Sequence, residues 1–314
     1  MAAYTFYIVL RFVTLAIGVI INGLTLVLIL HNEKLRDQRN VFTFNLALAD
    51  FTAATCEIFI ATLPYKPVVI ALKLIFHCAL LVSVLSVLAV ACFRFIAISV
   101  DPFGHRMILT TRRCIAGSAL MWLLLVGPLM IIKYTTDSYS TVLLLINPII
   151  MFSSLAITAM CYVMTYRDIS SAGSGEAGIG GTDQLKGRQR ENRKVLRTFV
   201  VITLTSCVCW IVHCFHDILQ IYSIWYDNID AVSNILVAVN FVLDPVIYWW
   251  RLDEFRAVLV KAVRRTGIGR RIRKLRGRVG DSSSGSSVTD SGKVFSVSEK
   301  YNTVMSSALE VSDA

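Results

Sequence analysis

The chain has 314 residues, of which 55% are hydrophobic and 17% charged, and its formal net charge is +10. Its mean hydropathy of +0.64 is too high for a soluble globular domain of ordinary composition. The lipid bilayer is therefore expected to be the solvent for most of the chain, which excludes an ordinary soluble protein.

Seven apolar stretches are long enough to cross a bilayer. A membrane-spanning helix needs about 20 mostly apolar residues, because its backbone hydrogen bonds must close within the segment. The predicted spans are 5–30, 41–64, 68–99, 113–133, 140–166, 195–224 and 229–250. The first lacks a basic start, so we interpret it as a span rather than a cleaved signal peptide. The sequence predicts an all-α membrane protein with a bundle of seven transmembrane helices over residues 5–250.

Lysine and arginine are concentrated in alternate joins between the spans. The joins after the first, third and fifth spans hold Lys34, Arg36, Arg39, Arg106, Arg112, Arg113, Lys186, Arg188, Arg190, Arg193, Lys194 and Arg197. Basic joins stay in the cytoplasm, which places a short N-terminus, residues 1–4, outside the cell at the plasma membrane. Since the charge lies on one membrane face, nucleic-acid binding explains it poorly.

After the seventh span, the continuous apolar sequence gives way to an amphipathic segment and then to a polar tail. Residues 251–266 place Phe255, Leu259 and Val263 at helical spacing opposite basic residues, which predicts an amphipathic interfacial helix. Residues 267–314 are first basic and then rich in serine, so we expect a disordered cytoplasmic tail whose basic part meets anionic membrane lipids. The Gly- and Ser-rich segment 170–187 is also predicted to be disordered.

Short motifs recur in order along the spans. They are Asn22-Gly23, Asn45 to Asp50 (NLALAD), Phe93-Arg94-Phe95, Trp122, Tyr162, Cys209-Trp210 and Asp244 to Tyr248 (DPVIY). Each motif is weak alone, but together, closing with Phe255, they resemble the rhodopsin-like (class A) G-protein-coupled receptors over about residues 10–265. The resemblance implies a receptor that is not an enzyme, needs no cofactor, binds an outside ligand and activates a heterotrimeric G protein.

Four polar residues are candidates for a site in the middle of the bundle. Asp50 lies deep in an apolar helix, where an unpaired carboxylate costs several kcal/mol. The resemblance implies that Asp50, Ser83, Asn240 and Asp244 line a small pocket for sodium, since hard cations take oxygen ligands. A water-filled hydrogen-bond network without an ion is the equally weighted alternative.

The resemblance assigns activation and G-protein coupling to Arg94, Tyr162, Pro245 and Tyr248. Arg94 would engage the G protein when the sixth helix moves outward. Phe93 occupies the place of the usual acidic neighbour of this arginine. We therefore expect signalling without ligand, and a silent decoy is the alternative.

The sixth helix departs from the family pattern in two further places. Asn192 falls where a glutamate often holds the arginine, with Glu191 one residue away, and Val212 replaces the usual proline. The first change removes a second carboxylate from the vicinity of Arg94. The second leaves the extent of helix opening undetermined.

Two familiar ligand classes are disfavoured. Phe76 lies on the same face of the third helix as Arg94, about 27 Å away, where amine receptors carry an aspartate. A monoamine ligand is therefore improbable unless Glu57 or Asp217 substitutes. Ala238 stands where a retinal-binding lysine would be needed, and the seventh span has no lysine, which excludes covalent retinal.

The outer halves of the helices contain several candidate ligand-binding residues. They are Lys73, Phe76, His77, Trp210, His213, Asp217 and Gln220. Arg11 and Glu57 are ionisable residues within spans and hence functional candidates, although they could equally pair with each other. His213 and His216 raise the further possibility of proton sensing.

Three features suggest a branch of the family. The outer loops have no cysteine, Ser154 replaces a proline in the fifth span, and Asp244 begins the last motif. This combination resembles the melanocortin, cannabinoid, lysophospholipid and adenosine receptors, so a lipid or small amphiphile is favoured, with a small peptide as the alternative. A transporter is the alternative from another class, but the chain lacks its paired halves and interrupted helices.

Serines in the tail suggest a second cytoplasmic partner. They include Ser282, Ser283, Ser284, Ser286, Ser287 and Ser291. Each would gain nearly two negative charges on phosphorylation, which arrestin-type proteins would bind. A solvated linker is the alternative.

Overall fold

A computed structural model of the chain describes residues 2–101, 107–136, 139–175, 183–222, 227–251 and 253–265. The helices are α1 Ala2–His31, α2 Val41–Thr62, α3 Lys66–Phe95, α4 Thr111–Thr135, α5 Tyr139–Gly175, α6 Asp183–Ile221, α7 Asp227–Arg251 and α8 Asp253–Arg265. A π-helical turn, Ile96–Val100, continues α3. The described residues contain no strand.

Seven of these helices are long and apolar enough to cross a membrane. The spans are Thr5–His31, Gln38–Thr62, Lys66–Val100, Thr111–Thr135, Tyr139–Ser171, Leu196–Ile221 and Asn228–Trp250. The predicted all-α, seven-span fold is confirmed. Because the connections between successive spans are short, neighbouring helices run in opposite directions.

Helices α5 and α6 are longer than the sequence predicted. Residues 170–175 and 183–187, expected to be disordered, have helical backbone. The start of α6 is rich in Gln, Leu, Lys, Arg and Glu, which have high helix propensity, and each segment continues a helix that is already nucleated. Residues 176–182 of that segment, and the tail from residue 266 onward, lie outside the described residues.

Helices α1 and α7 approach closely because of two small or polar residues. A methyl group added at Gly18 would lie 3.3 Å from Cβ of Phe241. Asn22 Nδ2 donates to the backbone oxygens of Gly18 at 2.9 Å and Phe241 at 2.7 Å. Small residues that admit a neighbouring backbone, and side chains that bond across helices, are typical of membrane helix packing.

Asn45 connects α2, α3 and α4. Its Nδ2 donates to Ser86 Oγ at 2.8 Å, and its Oδ1 accepts from Trp122 Nε1 at 3.0 Å. Asn45 and Ser86 are buried. A single amide thus satisfies polar groups of three helices, which fixes the position of α4 against the central pair.

Helix α8 packs against the end of α1 and the turn after it. Phe255 is fully buried in a cluster with Ile29, Leu35 and Val258. Arg39 Nη2 lies 3.3 Å from Glu254 Oε1. The apolar face of α8 is therefore covered by protein at Phe255 and Val258.

Replacing Asn45 with alanine should lower the stability of the protein by about 1–2 kcal/mol, because the mutation removes two interhelical bonds. Thermal unfolding in detergent micelles measures this effect. Thr62→Val is the matched control, since among the described residues the Thr62 hydroxyl bonds within its own helix, to Ile58 O at 2.9 Å and Phe59 O at 3.4 Å. Equal stability of Asn45→Ala and wild type would contradict the role of this amide.

Candidate functional site

The candidate residues form three groups along the bundle. We call the end of the bundle where α6 finishes the His213 end, and the end where α3 finishes the Arg94 end. The polar centre, between them, comprises Asp50, Ser83, Asn240 and Asp244. Each group draws residues from several helices.

The polar centre brings together all four residues predicted to surround a cation. Asp50 and Asp244 are fully buried, and Ser83 Oγ donates to Asp50 Oδ1 at 2.7 Å. Within the described residues, Asp50 Oδ2, Asn240 Oδ1 and both carboxylate oxygens of Asp244 have no hydrogen-bond partner. Ser206 of α6 provides a neighbouring hydroxyl for Asp244.

The side chains of the polar centre are suitable ligands for a small hard cation. The ligand atoms are oxygens, two of the residues carry a carboxylate, and an isolated buried carboxylate is costly. A cavity of about 10 Å³ lined by Ser83, Ser206, Trp210 and Asn240 adjoins the centre. That volume is near the minimum that holds one water molecule.

Trp210 lies between the polar centre and the His213 end. It is buried in an apolar cluster with Phe241, Ala238 and Met151. Its ring centre is 5.6 Å from that of His213, in an edge-to-face arrangement. A change at His213 therefore has a direct packing route to the cavity beside the polar centre.

His213 and Asp217 lie one turn apart on α6 and face each other. His213 Nε2 is 3.9 Å from Asp217 Oδ2. His213 Nδ1 lies 2.8 Å from Ser233 Oγ of α7, and Asn147 Nδ2 of α5 donates to Asp217 Oδ2 at 3.3 Å. The pair is thus held from two other helices.

His216 extends the same group towards α7. Its Nδ1 is 4.0 Å from Asp217 Oδ1, and its Nε2 is 3.4 Å from Asp230 Oδ1. Gln220 Nε2 lies 3.1 Å from His216 Nε2, and Asn234 Nδ2 donates to Asp230 Oδ1 at 3.0 Å. Histidine, carboxylate and amide groups form one connected network.

Several members of this network were not predicted from the sequence. They are Asn147, Ser233, Asp230 and Asn234, which lie on α5 and α7. The available signal was weak: each is a polar residue near the end of an apolar span. Only the packing of α5 and α7 against α6 identifies their partners.

The three candidate ligand-binding residues on α3 have different surroundings. His77 is close enough to His213 for their charges to interact, and its Nδ1 lies 2.6 Å from Lys73 O. Phe76 is half-buried and packs against the apolar cluster around Trp210. Lys73 is exposed.

Arg11 and Glu57 form an ion pair between α1 and α2. The Glu57 side chain is 12% exposed and that of Arg11 is 32% exposed. The pairing accounts for both ionisable groups without a ligand, because each neutralises the other in an apolar environment.

At the Arg94 end, the arginine lies beside two aromatic residues, Phe93 and Tyr162. Arg94 is half-buried, and its Cζ lies 5.9 Å from the ring centre of Phe93. Phe93 is buried and packs edge-on against Phe42, with ring centres 6.3 Å apart. Tyr162 lies near Arg94. The Phe93 ring is therefore within cation–π range of the guanidinium, and Arg39, Glu254 and Asp37 are also near enough to act on its charge.

The other residues of this end are buried in the same region. Tyr248 packs in one apolar cluster with Tyr162, and its ring centre is 6.3 Å from that of Phe255. Pro245 lies inside α7. The side chains of Glu191 and Asn192 lie outside the described residues.

Comparisons with known proteins point to one family. A family model described as 7 transmembrane receptor (rhodopsin family) matches residues 21–140 and 129–248. Somatostatin receptor type 5 of Bos taurus is 23% identical over 278 residues, 79% of this chain and 73% of that protein. Galanin receptor type 2 is 25% identical over 284 residues in Mus musculus and 286 in Rattus norvegicus, 76% of this chain and 71% of each receptor.

A double-mutant cycle should separate structural pairing from ligand contact at Arg11 and Glu57. Arg11→Ala and Glu57→Ala should each destabilise the protein, and the double variant should lose less than the sum, with a coupling of about 1–2 kcal/mol. Thermal unfolding of the four proteins gives the coupling.

The ion pair Arg39–Glu254 is the control for this cycle. Its side chains are 43% and 44% exposed, so its coupling should be about 0–1 kcal/mol. Additive losses at Arg11 and Glu57 would show that the pair does not stabilise the fold.

Proposed function

The chain belongs to the rhodopsin family of seven-transmembrane receptors, and from that premise we propose that it binds an extracellular ligand at the His213 end and activates a heterotrimeric G protein at the Arg94 end. It is a signalling receptor and a multi-pass membrane protein, and the family consists of receptors rather than enzymes. The arrangement of Arg94, Tyr162 and Tyr248 at one end of the bundle is the observation that carries the proposal.

We infer that the N-terminus is extracellular and that the protein is located in the plasma membrane. The basic joins Lys34–Arg39 and Arg112–Arg113 lie at the Arg94 end, and basic joins remain in the cytoplasm. The His213 end then faces outside, where a ligand arrives.

The proposed ligand is a small amphiphile. Trp210, Phe76 and their apolar neighbours would hold its apolar part, while the network around Asp217 would bind its polar group. A monoamine is disfavoured because Phe76 stands where amine receptors carry an aspartate. Covalent retinal is disfavoured because α7 has no lysine. The polar group should donate hydrogen bonds or carry positive charge, because Asp217 and Asp230 are carboxylates.

A short peptide is the second candidate ligand. Two observations favour it: Asp217 and Asp230 suit an amino or guanidinium group, and the similar receptors are named for somatostatin and galanin. The headgroup of a lipid ligand would instead meet Lys73, which is exposed on α3.

Screening second-messenger output over a lipid panel and a short-peptide panel separates the two candidates. An active compound of either class should lose at least tenfold in potency on Asp217→Asn, since a charge-assisted hydrogen bond contributes about 1.5–3 kcal/mol. Lys73→Ala should weaken a lipid agonist and leave a peptide agonist unchanged. Potency that is insensitive to Asp217 would contradict the proposed ligand position.

We propose that the receptor signals without ligand, because no carboxylate occupies position 93. Basal second-messenger output should exceed that of cells without the receptor, and Arg94→Ala should abolish the excess. Phe93→Asp should lower the excess about fivefold at equal surface expression, since a partly exposed ion pair stabilises the resting state by about 1 kcal/mol.

Two control variants belong to this experiment. Phe93→Leu removes the aromatic ring without adding a carboxylate, and Arg112→Ala removes an exposed arginine at the same end. Both variants should keep the excess basal output. Basal output equal to that of cells without the receptor, or unchanged by Arg94→Ala, would contradict the proposal.

We further propose that the polar centre binds sodium. Replacing N-methyl-D-glucamine by sodium at constant ionic strength should stabilise the purified receptor by about 1.4 kcal/mol at tenfold excess over Kd. Asp50→Asn should abolish the difference, because it removes the carboxylate bonded to Ser83. Asp217→Asn, which changes another buried acid, should retain it, and a sodium effect that survives Asp50→Asn would exclude this site.

The cytoplasmic tail is proposed to bind two kinds of partner. The basic part after α8 would contact anionic membrane lipids, and the phosphorylated serines Ser282–Ser291 would bind arrestin-type proteins. Both segments lie outside the described residues.

A further inference from the structure

We propose that His213, His216 and Asp217 form a binding site for a transition-metal ion of the Zn²⁺ type. One ligand atom from each of the three residues lies within 4.8 Å of the ligand atoms of the other two. The three are residues i, i+3 and i+4 of α6, which lie on one face of a helix. The site is therefore built on one rigid element rather than on a loop.

The distances fit a metal after a small adjustment. His213 Nε2 and His216 Nδ1 lie 3.9 and 4.0 Å from the two oxygens of Asp217. Ligands about 2.0–2.1 Å from a tetrahedral zinc are about 3.3 Å apart. Closing these two gaps takes less than 1 Å each, and bringing all three ligand atoms, which lie within 4.8 Å of one another, to that spacing takes at most about 1.5 Å. Rotation of the side chains provides this movement.

In each of the two imidazoles, hydrogen-bond partners hold one ring nitrogen, and the other nitrogen, which lies near Asp217, can bind the metal. Nδ1 of His213 lies 2.8 Å from Ser233 Oγ, so an N–H there donates to the hydroxyl and leaves the Nε2 lone pair directed at Asp217. Nε2 of His216 is 3.4 Å from Asp230 Oδ1 and 3.1 Å from the Gln220 amide. With the Gln220 amide turned so that its oxygen faces the ring, an N–H at Nε2 donates to both oxygens and Nδ1 is directed at Asp217. Metal-binding histidines commonly have their other nitrogen held by an oxygen in this way.

The ligand chemistry selects the class of metal. Imidazole nitrogens prefer zinc, copper and nickel, whereas sodium, calcium and magnesium prefer oxygen donors. Asp217 is buried, and Asn147 orients the same carboxylate by donating to Oδ2 at 3.3 Å. A bound dication would also compensate the negative charge of that carboxylate.

Three protein ligands leave one position of a tetrahedral zinc open. That position belongs to water or to a donor atom of a bound molecule. If the proposed function holds, the metal lies within the ligand pocket and beside Trp210, and zinc should change agonist potency. Metal binding itself does not depend on signalling.

Cobalt titration of the purified receptor in lipid nanodiscs tests the site without any G protein. Co²⁺ should bind with 1:1 stoichiometry, give the visible absorption bands of tetrahedral cobalt, and be displaced by Zn²⁺. His213→Ala, His216→Ala and Asp217→Asn should each weaken binding at least tenfold. Ser233→Ala, which acts through His213, should weaken it about 10–100-fold.

His31→Ala is the matched control, because His31 is an exposed histidine at the end of α1, outside the His213 group, and its Nδ1 likewise lies beside the carbonyl of the preceding turn, 3.1 Å from Val27 O. This variant should bind cobalt as tightly as wild type. Absence of the cobalt bands, or bands that persist in both His213→Ala and Asp217→Asn, would overturn the site.

Zinc X-ray absorption of the wild-type protein gives an answer that needs no variant to fold. The expected first shell has two imidazoles and oxygen, at about 2.0–2.2 Å, whereas sulfur at about 2.3 Å would assign the metal to cysteines and overturn the site. Metal binding without any G-protein activation would leave this site intact and contradict the proposed function instead.

Discussion

The structure depends on how two carboxylates, Asp50 of α2 and Asp244 of α7, are accommodated inside an apolar bundle. Each unpaired carboxylate costs several kcal/mol in a membrane interior, and both are fully buried. Ser83, Ser206 and Asn240 bring α3, α6 and α7 to the same point. A change in the ion or water content of this centre therefore affects four helices at once.

The His213 end of the bundle connects to this centre through packed side chains. Trp210 contacts His213 on one side and adjoins the cavity lined by Ser83 and Asn240 on the other. Towards the Arg94 end, Tyr248 packs with Tyr162, which lies near Arg94. The proposed ligand site thus packs against the cavity beside the polar centre through Trp210, while Tyr248 and Tyr162 form a separate packed cluster at the Arg94 end.

Hydropathy was sufficient to predict the seven spans, because membrane insertion depends on average composition over about 20 residues. Asp50 was singled out as a carboxylate deep in an apolar helix, whereas Arg94 was singled out through the resemblance to the receptor family. Pairing was harder to predict: Arg11 with Glu57 remained one of two alternatives until α1 and α2 were placed together. The partners of His213 and Asp217, namely Ser233 and Asn147, could not be found, because one hydroxyl or amide in an apolar helix carries no signal of what it faces. The helical ends of residues 170–175 and 183–187 were missed because local glycine and serine content outweighed continuity with the adjacent spans.

We propose that this receptor activates a G protein through Arg94. Nucleotide exchange on purified heterotrimeric G proteins, with the receptor reconstituted in nanodiscs, tests it most directly. Wild-type receptor should accelerate GDP release from at least one class of G protein, and folded Arg94→Ala receptor should not. No acceleration of any class, or equal acceleration by the Arg94→Ala receptor, would contradict the account.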